Sequence, residues 1–300
     1  MGKNKYLFVS VMLLAIALAG GIFTKVYINM EAQGQKTQQI CVVTSFYPVY
    51  IAACNVAKDS PGIVLENLSE PQTGCMHDYQ LTPQDMILLS GADLFLVNGG
   101  GIENFLAKVG QSYPDLAIVE TTEGMDLQEG ENAHVWMDTR RYRQMVENIA
   151  EAFMEADPAH AHIYQENADR YGEKIQLLTE EMEKLREVTS GKSAVIFHEA
   201  YEYVVEELGM DAVYCLDLDE ERQVSAREVA DVMREISENQ VTVVFAEELY
   251  GKEMGDTVEA QTQVKVCYLD TLVRGDYQMD SYLEAMQENI EALKQVFGVD

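Results

Sequence analysis

The sequence predicts an α/β protein of two lobes, each with a mostly parallel four-stranded sheet flanked by helices, joined by one long connecting helix. Three observations predict it. Short apolar runs alternate with longer amphipathic stretches from residue 41 onward, the pattern of βαβ units. The apolar runs form two groups, at 41–46, 62–68, 92–97 and 117–120, then at 193–197, 212–216, 241–246 and 264–269. One uninterrupted helical pattern separates the groups, and 300 residues exceed what one hydrophobic core usually serves.

Residues 1–36 read as a targeting segment. Lys3 and Lys5 precede an apolar stretch from Tyr6 to Ala19 that continues through Phe23 to Lys25. That is the layout of a secretory signal, with Ala17-Leu18-Ala19 as a cleavage site. Uncleaved, the stretch is about 18 residues, just long enough to cross the hydrocarbon core. In either case Lys3 and Lys5 stay inside and the remainder is exported, either secreted or held at the membrane by the N-terminal segment. Bacterial lipoproteins carry Leu-Ala-Gly-Cys here. This chain reads Leu18-Ala19-Gly20-Gly21, so a lipid anchor is not supported and an uncleaved helix is the expected attachment.

Residues 37–157 form the first expected lobe, with a helical pattern at 83–90 between its second and third strands. Asp157 is placed to cap a helix opened by Pro158. From there Tyr164, Ala168, Tyr171, Ile175, Leu178, Met182 and Leu185 recur at alternating spacings of four and three. They make one stripe roughly 30 Å long on a continuous helix, which Ser190-Gly191 ends. A coiled-coil dimer needs the same stripe. A packed connector over 158–190 is preferred because Pro/Gly/Ser-rich linker composition is absent. Residues 191–300 form the second lobe, with helical patterns at 226–238 and 282–297.

The chain carries 21 Lys+Arg against 51 Asp+Glu, a formal charge of −30. Residues 1–36 hold four Lys and one Glu, so the exported part is more acidic still. This excludes binding to a phosphate backbone, which needs Lys/Arg clusters, and suits a body that draws cations toward itself. A hydrophobic fraction of 47% is too apolar for a disordered acidic tail. Five widely spread cysteines with no CxxC pair give no disulfide framework. Cys41, Cys215 and Cys267 lie in strand-like runs and read as small buried residues.

Candidate chemistry gathers at strand carboxyl ends, where open α/β sheets bind ligands. His77 follows the second strand, His134 lies just before a helix, His198 ends the fifth strand and Asp270 ends the last. Any one such His is more often a hydrogen-bonded core residue than a ligand, so the set carries the reading. Three imidazoles and a carboxylate suit tetrahedral Zn²⁺, whereas Mn²⁺ is usually given more oxygen donors. His160 and His162 read as solvated surface residues. Asn98-Gly-Gly-Gly101 lacks the G-x-G-x-x-G spacing and any Lys, so it reads as a turn.

The motifs in order resemble the metal-binding solute-binding proteins of ABC importers for zinc and manganese. Thr44-Ser-Phe-Tyr-Pro48 is similar to that family's opening strand-to-helix signature, and Cys75-Met-His77-Asp-Tyr-Gln-Leu-Thr-Pro83 to its first ligand loop. Ala92-Asp-Leu-Phe-Leu-Val-Asn98, His134-Val-Trp136-Met-Asp138 and Phe197-His198-Glu-Ala-Tyr201 resemble its later segments, and Phe245-Ala-Glu247 and Leu269-Asp270 complete the set. The resemblance implies metal held between the lobes by His77, His134, His198 and Asp270, capture without covalent chemistry, and delivery to a permease. His at the third position, where manganese members often have Glu, leans the choice toward zinc. The stretch 122–132 is acidic without His, so no metal-collecting loop is expected. Cys75 reads as structural or exposed, with a soft metal ligand as the alternative.

Two rival functions remain. A zinc hydrolase would use metal-bound water, but His198-Glu-Ala-Tyr-Glu202 has Glu where H-E-x-x-H needs the second His. A cell-surface adhesion module with a structural metal is the other.

Overall fold

The computed structural model describes residues 39–70, 74–128, 132–218 and 221–299. The targeting segment expected over 1–36 lies outside them. Among the described residues no helix is long and apolar enough to cross a membrane.

The first sheet contains β1 (Ile40–Thr44), β2 (Ile63–Asn67), β3 (Leu94–Val97) and β4 (Ala117–Glu120) in the order β2-β1-β3-β4. The second contains β5 (Ser193–Ile196), β6 (Asp211–Cys215), β7 (Val243–Ala246) and β8 (Lys265–Tyr268) in the order β6-β5-β7-β8. Every pairing is parallel, with Val42 opposite Leu65 and Leu94, and Ala194 opposite Ala212 and Val243. Each residue of β3 and of β7 is buried, as a continuous apolar run covered on both faces requires. The edge strand β2 instead alternates, because only one of its faces meets the core. The chain leaves β1 and β3, and likewise β5 and β7, toward opposite sides, which opens a crevice at the carboxyl ends of those strands.

The helices are α1 (Tyr47–Val56), α2 (Pro83–Ser90), α3 (Leu106–Ser112), α4 (Thr139–Ala156), α5 (Ala161–Thr189), α6 (Tyr201–Glu207), α7 (Ala226–Glu238), α8 (Glu248–Gln261) and α9 (Ser281–Phe297). Capping boxes start two of them, Thr82 with Asp85 for α2 and Ser225 with Glu228 for α7. The stripe from Tyr164 to Leu185 is buried throughout, and α5 packs it against α4, α9 and α1 of the same chain. The apolar face is therefore consumed internally.

The start of α5 differs from the expectation. Pro158–His160 is a separate 3-10 turn, and Asp157 makes no side-chain cap. Its carboxylate accepts instead from Tyr164 Oη at 2.6 Å and pairs with His160 Nδ1 at 2.7 Å. His160 is thus a half-buried partner of Asp157 and not a solvated residue, whereas His162 is exposed. An acid that finds a buried phenol and an imidazole has stronger partners than a frayed helix end offers.

One apolar cluster runs through both halves, from Val42 and Phe95 to Phe245 and Leu293, and a smaller one lies between the second sheet and α7 and α8. Polar links cross between the halves. Trp136 Nε1 donates to the Thr271 carbonyl at 2.9 Å, Tyr282 Oη to the Trp136 carbonyl at 2.8 Å, and Tyr47 Oη to Ser281 Oγ at 2.9 Å. The Tyr142 and Tyr282 rings stack at 3.5 Å.

Candidate metal centre

His77 stands on the loop between β2 and α2. Met76, fully buried, anchors that loop, and Asn104 Nδ2 donates to the His77 carbonyl at 2.8 Å. His134 precedes the 3-10 turn Val135–Met137 and is fully buried, its ring 5.1 Å from that of Trp136. His198 follows β5 and is 3% exposed. The His134 ring lies 5.1 Å from that of His77 and 5.0 Å from that of His198 between centroids, and His198 Nδ1 accepts from the Ala200 N–H at 2.9 Å.

Two further residues join them: Cys75, which the sequence offers as an alternative soft ligand, and Glu199, which it does not assign. Ligand atoms of Cys75, His77 and His134 all lie within 4.8 Å of one another, with Cys75 Sγ 3.4 Å from His134 Nε2. Glu199 Oε1 lies 3.4 Å from His77 Nε2 and 3.6 Å from His134 Nδ1. Asp270 is not brought into this group. Its Oδ1 accepts from the Leu272 N–H at 2.6 Å, its own N–H donates to Asn289, and its side chain lines a neighbouring depression with Glu247 and Arg274. Arg274 Nη2 lies 3.5 Å from Glu247. Between the imidazoles and this corner is a cavity of about 110 Å³ whose walls include Cys75, His77, His198, Glu247, Thr271 and Arg274.

The two halves of the site differ electrically. Burial, then the neighbouring His198 and His77, hold the His134 pKa well below its ordinary value, so this imidazole is neutral at pH 7. The neighbouring Cys75 sulfur, and next the Glu199 carboxylate, raise His77 to about 10 against an opposing desolvation. Glu199 is lowered, chiefly by the same contact with His77. Burial raises Asp270, with Arg274 and the Leu272 N–H opposing it.

Asn132 orients the central ring. Its Oδ1 accepts from the His134 backbone N–H at 3.1 Å and from Nδ1 at 2.8 Å, which leaves the Nε2 lone pair facing the other donors. Its Nδ2 donates to the Glu199 carbonyl and to Glu202 Oε2, both at 2.9 Å. Glu202, the residue that breaks the hydrolase pattern, therefore supports this bridge. An Asn two positions before a loop His can close back on the backbone, and that spacing was the signal available in sequence. The Asn98-Gly-Gly-Gly101 turn is also accounted for: Glu103 accepts from the N–H groups of Asn98 and Gly99 at 2.7 and 3.0 Å, so they are occupied internally.

Comparison with known proteins agrees with this architecture. The family described as zinc-uptake complex component A, periplasmic (ZnuA) matches residues 42–296. The iron-binding protein YfeA of Yersinia pestis is 30% identical over 270 residues, covering 86% of each chain. The high-affinity zinc uptake system protein ZnuA of Bacillus subtilis is 26% identical over 309 residues, covering 94% of this chain and 93% of that one. The crystal structure of the metal-dependent lipoprotein YcdH from Bacillus subtilis superimposes with a TM-score of 0.74 at 27% identity, over 86% of this chain and 98% of that one.

Proposed function

The chain belongs to the family of periplasmic zinc-uptake components, and from that premise we propose that it captures Zn²⁺ outside the cytoplasm and hands it to an ABC permease. Members of this family are metal-binding components of metal uptake and not enzymes. One observation carries the reading: a fully buried, neutral imidazole stands beside two others with ring centroids 5.1 and 5.0 Å away. A donor set rich in nitrogen favours Zn²⁺ over Mn²⁺ or iron, which accept more oxygen. His77, His134 and His198 are the proposed donors, with Asp270 as the carboxylate that the sequence adds. Residues 37–157 and 191–300 act as the two lobes, 158–190 as their connector, and residues 1–36 as signal or anchor.

Competitive titration of the full chain with Zn²⁺, Mn²⁺ and Fe²⁺ tests this. Zn²⁺ binds one equivalent most tightly. His77→Ala, His134→Ala and His198→Ala each weaken it by orders of magnitude, while His160→Ala leaves it unchanged. Unaltered titrations in the first three variants would defeat the assignment.

A further inference from the structure

We propose that the sulfur of Cys75 binds the transported ion directly, filling the corner of the tetrahedron that sequence reading gives to Asp270. The proposal rests on the metal-capture reading and changes one ligand in it.

The distances fit a shared ion. With Zn–S of about 2.3 Å and Zn–N of about 2.05 Å, two donors at a tetrahedral angle lie about 3.6 Å apart. Cys75 Sγ and His134 Nε2 lie 3.4 Å apart, and an atom of His77 completes the group within 4.8 Å. The ring orientation agrees, because Nδ1 of His134 is committed to Asn132 and Nε2 is the nitrogen that faces the sulfur.

The loop is shaped for this placement. Gly74 has φ +84°, a left-handed conformation that side chains disfavour, and a Cβ there would stand 3.2 Å from Arg274 Nη2. Glycine lets the chain turn Cys75 toward the imidazoles while the guanidinium lies alongside. Arg274 in turn supplies the positive charge at the far corner, 3.5 Å from Glu247 and acting on Asp270. Asp270 already spends an oxygen on the Leu272 N–H. Asp270 and Glu247 stand beside Arg274 on that side, whereas the sulfur, with the Glu199 carboxylate on the exposed side, faces the imidazoles. A soft thiolate among nitrogens tilts selection toward Zn²⁺ and away from Mn²⁺.

Cobalt substitution of the full chain tests the assignment. One equivalent of Co²⁺ gives a near-ultraviolet sulfur-to-metal charge-transfer band, which a nitrogen and oxygen donor set does not produce. Cys75→Ser abolishes the band while Co²⁺ still binds through the imidazoles, and Zn²⁺ affinity falls about 10- to 100-fold. Mn²⁺ affinity falls less. Cys75→Ala behaves as Cys75→Ser, and Asp270→Asn keeps the band. Stoichiometric Co²⁺ binding without a band, or a band that survives in Cys75→Ser, overturns thiolate ligation and leaves metal capture standing. Failure to bind Co²⁺ or Zn²⁺ at all overturns both.

Discussion

Replacing Asn132 with Ala should loosen the metal centre without removing a ligand. Four hydrogen bonds go: two from His134, at 3.1 and 2.8 Å, and two to the Glu199 carbonyl and Glu202, at 2.9 Å. His134 is fully buried, so its backbone and ring N–H groups lose their acceptor in a dry place. Each orphaned buried donor costs about 1–3 kcal/mol, which puts the stability loss at about 2–6 kcal/mol, the lower end applying where water enters. The ring is also free to change tautomer and rotate, and loss of such a partner typically lowers metal affinity about 10- to 100-fold, about 1.4–2.8 kcal/mol. Zinc affinity is read by competition with a chromophoric chelator, and stability by urea denaturation of the metal-free chain. Asn132→Asp separates the two effects. It keeps an acceptor for both His134 donors but sets a carboxylate oxygen against Glu202, so stability falls while affinity stays nearer that of the parent. A folded Asn132→Ala chain with zinc affinity within about twofold of the parent would refute the argument that this bond orients His134.

Further outcomes follow from the same geometry. His77 is raised to about 10, so at pH 7 it holds a proton that the ion must displace, whereas the lowered His134 holds none. Binding should therefore release about one proton from His77, and apparent affinity should climb by up to about tenfold per pH unit toward pH 10. Calorimetry in phosphate and Tris checks the count, and no release from His77 at pH 7 contradicts it. In the metal-free chain the same raised pKa adds stability that is fully present below about 6.5 and is lost as pH rises through about 10, visible as a difference between parent and His77→Gln melts. Trp136→Phe removes the donor to the buried Thr271 carbonyl and should cost about 1–3 kcal/mol by denaturation, with an unchanged midpoint counting against it. Zinc at about 100 times its Kd should stabilise the chain by about 2.7 kcal/mol, and chelator should reverse the gain.

What the sequence disclosed and what it withheld divide along the range of the interactions. The central strands were legible because β3 and β7 are apolar on both faces, and the buried stripe of α5 because its period is local. Strand ends were less so: the run 62–68 shortens to Ile63–Asn67, since pairing with β1 rather than hydropathy sets where a strand stops. Asp157 was misread because its partner Tyr164 becomes available only once α5 packs. His77 and His198 were found from their position after strands, and His134 from its place just before a helix. Cys75 and Glu199 gain their meaning from contacts with His134 across 59 and 65 positions, which no local pattern encodes.

The route of the ion follows from which walls are fixed. A hinge between the halves would have to break the bonds from Trp136 to Thr271 and from Tyr282 to Trp136, and to part the stacked Tyr142 and Tyr282 rings. Tyr201 Oη, which donates to the Leu269 carbonyl at 2.7 Å, ties the strand end before Asp270 to the helix after His198. All of these are buried, and the continuous apolar cluster lies around them, so opening there exposes core as well as polar groups. The opposite wall is built differently. The His77 and Glu199 side chains are 34% and 43% exposed, against none for His134. On the proposed function an ion would enter and leave past His77 and Glu199, with His134, held by Asn132, as the ligand that stays in place.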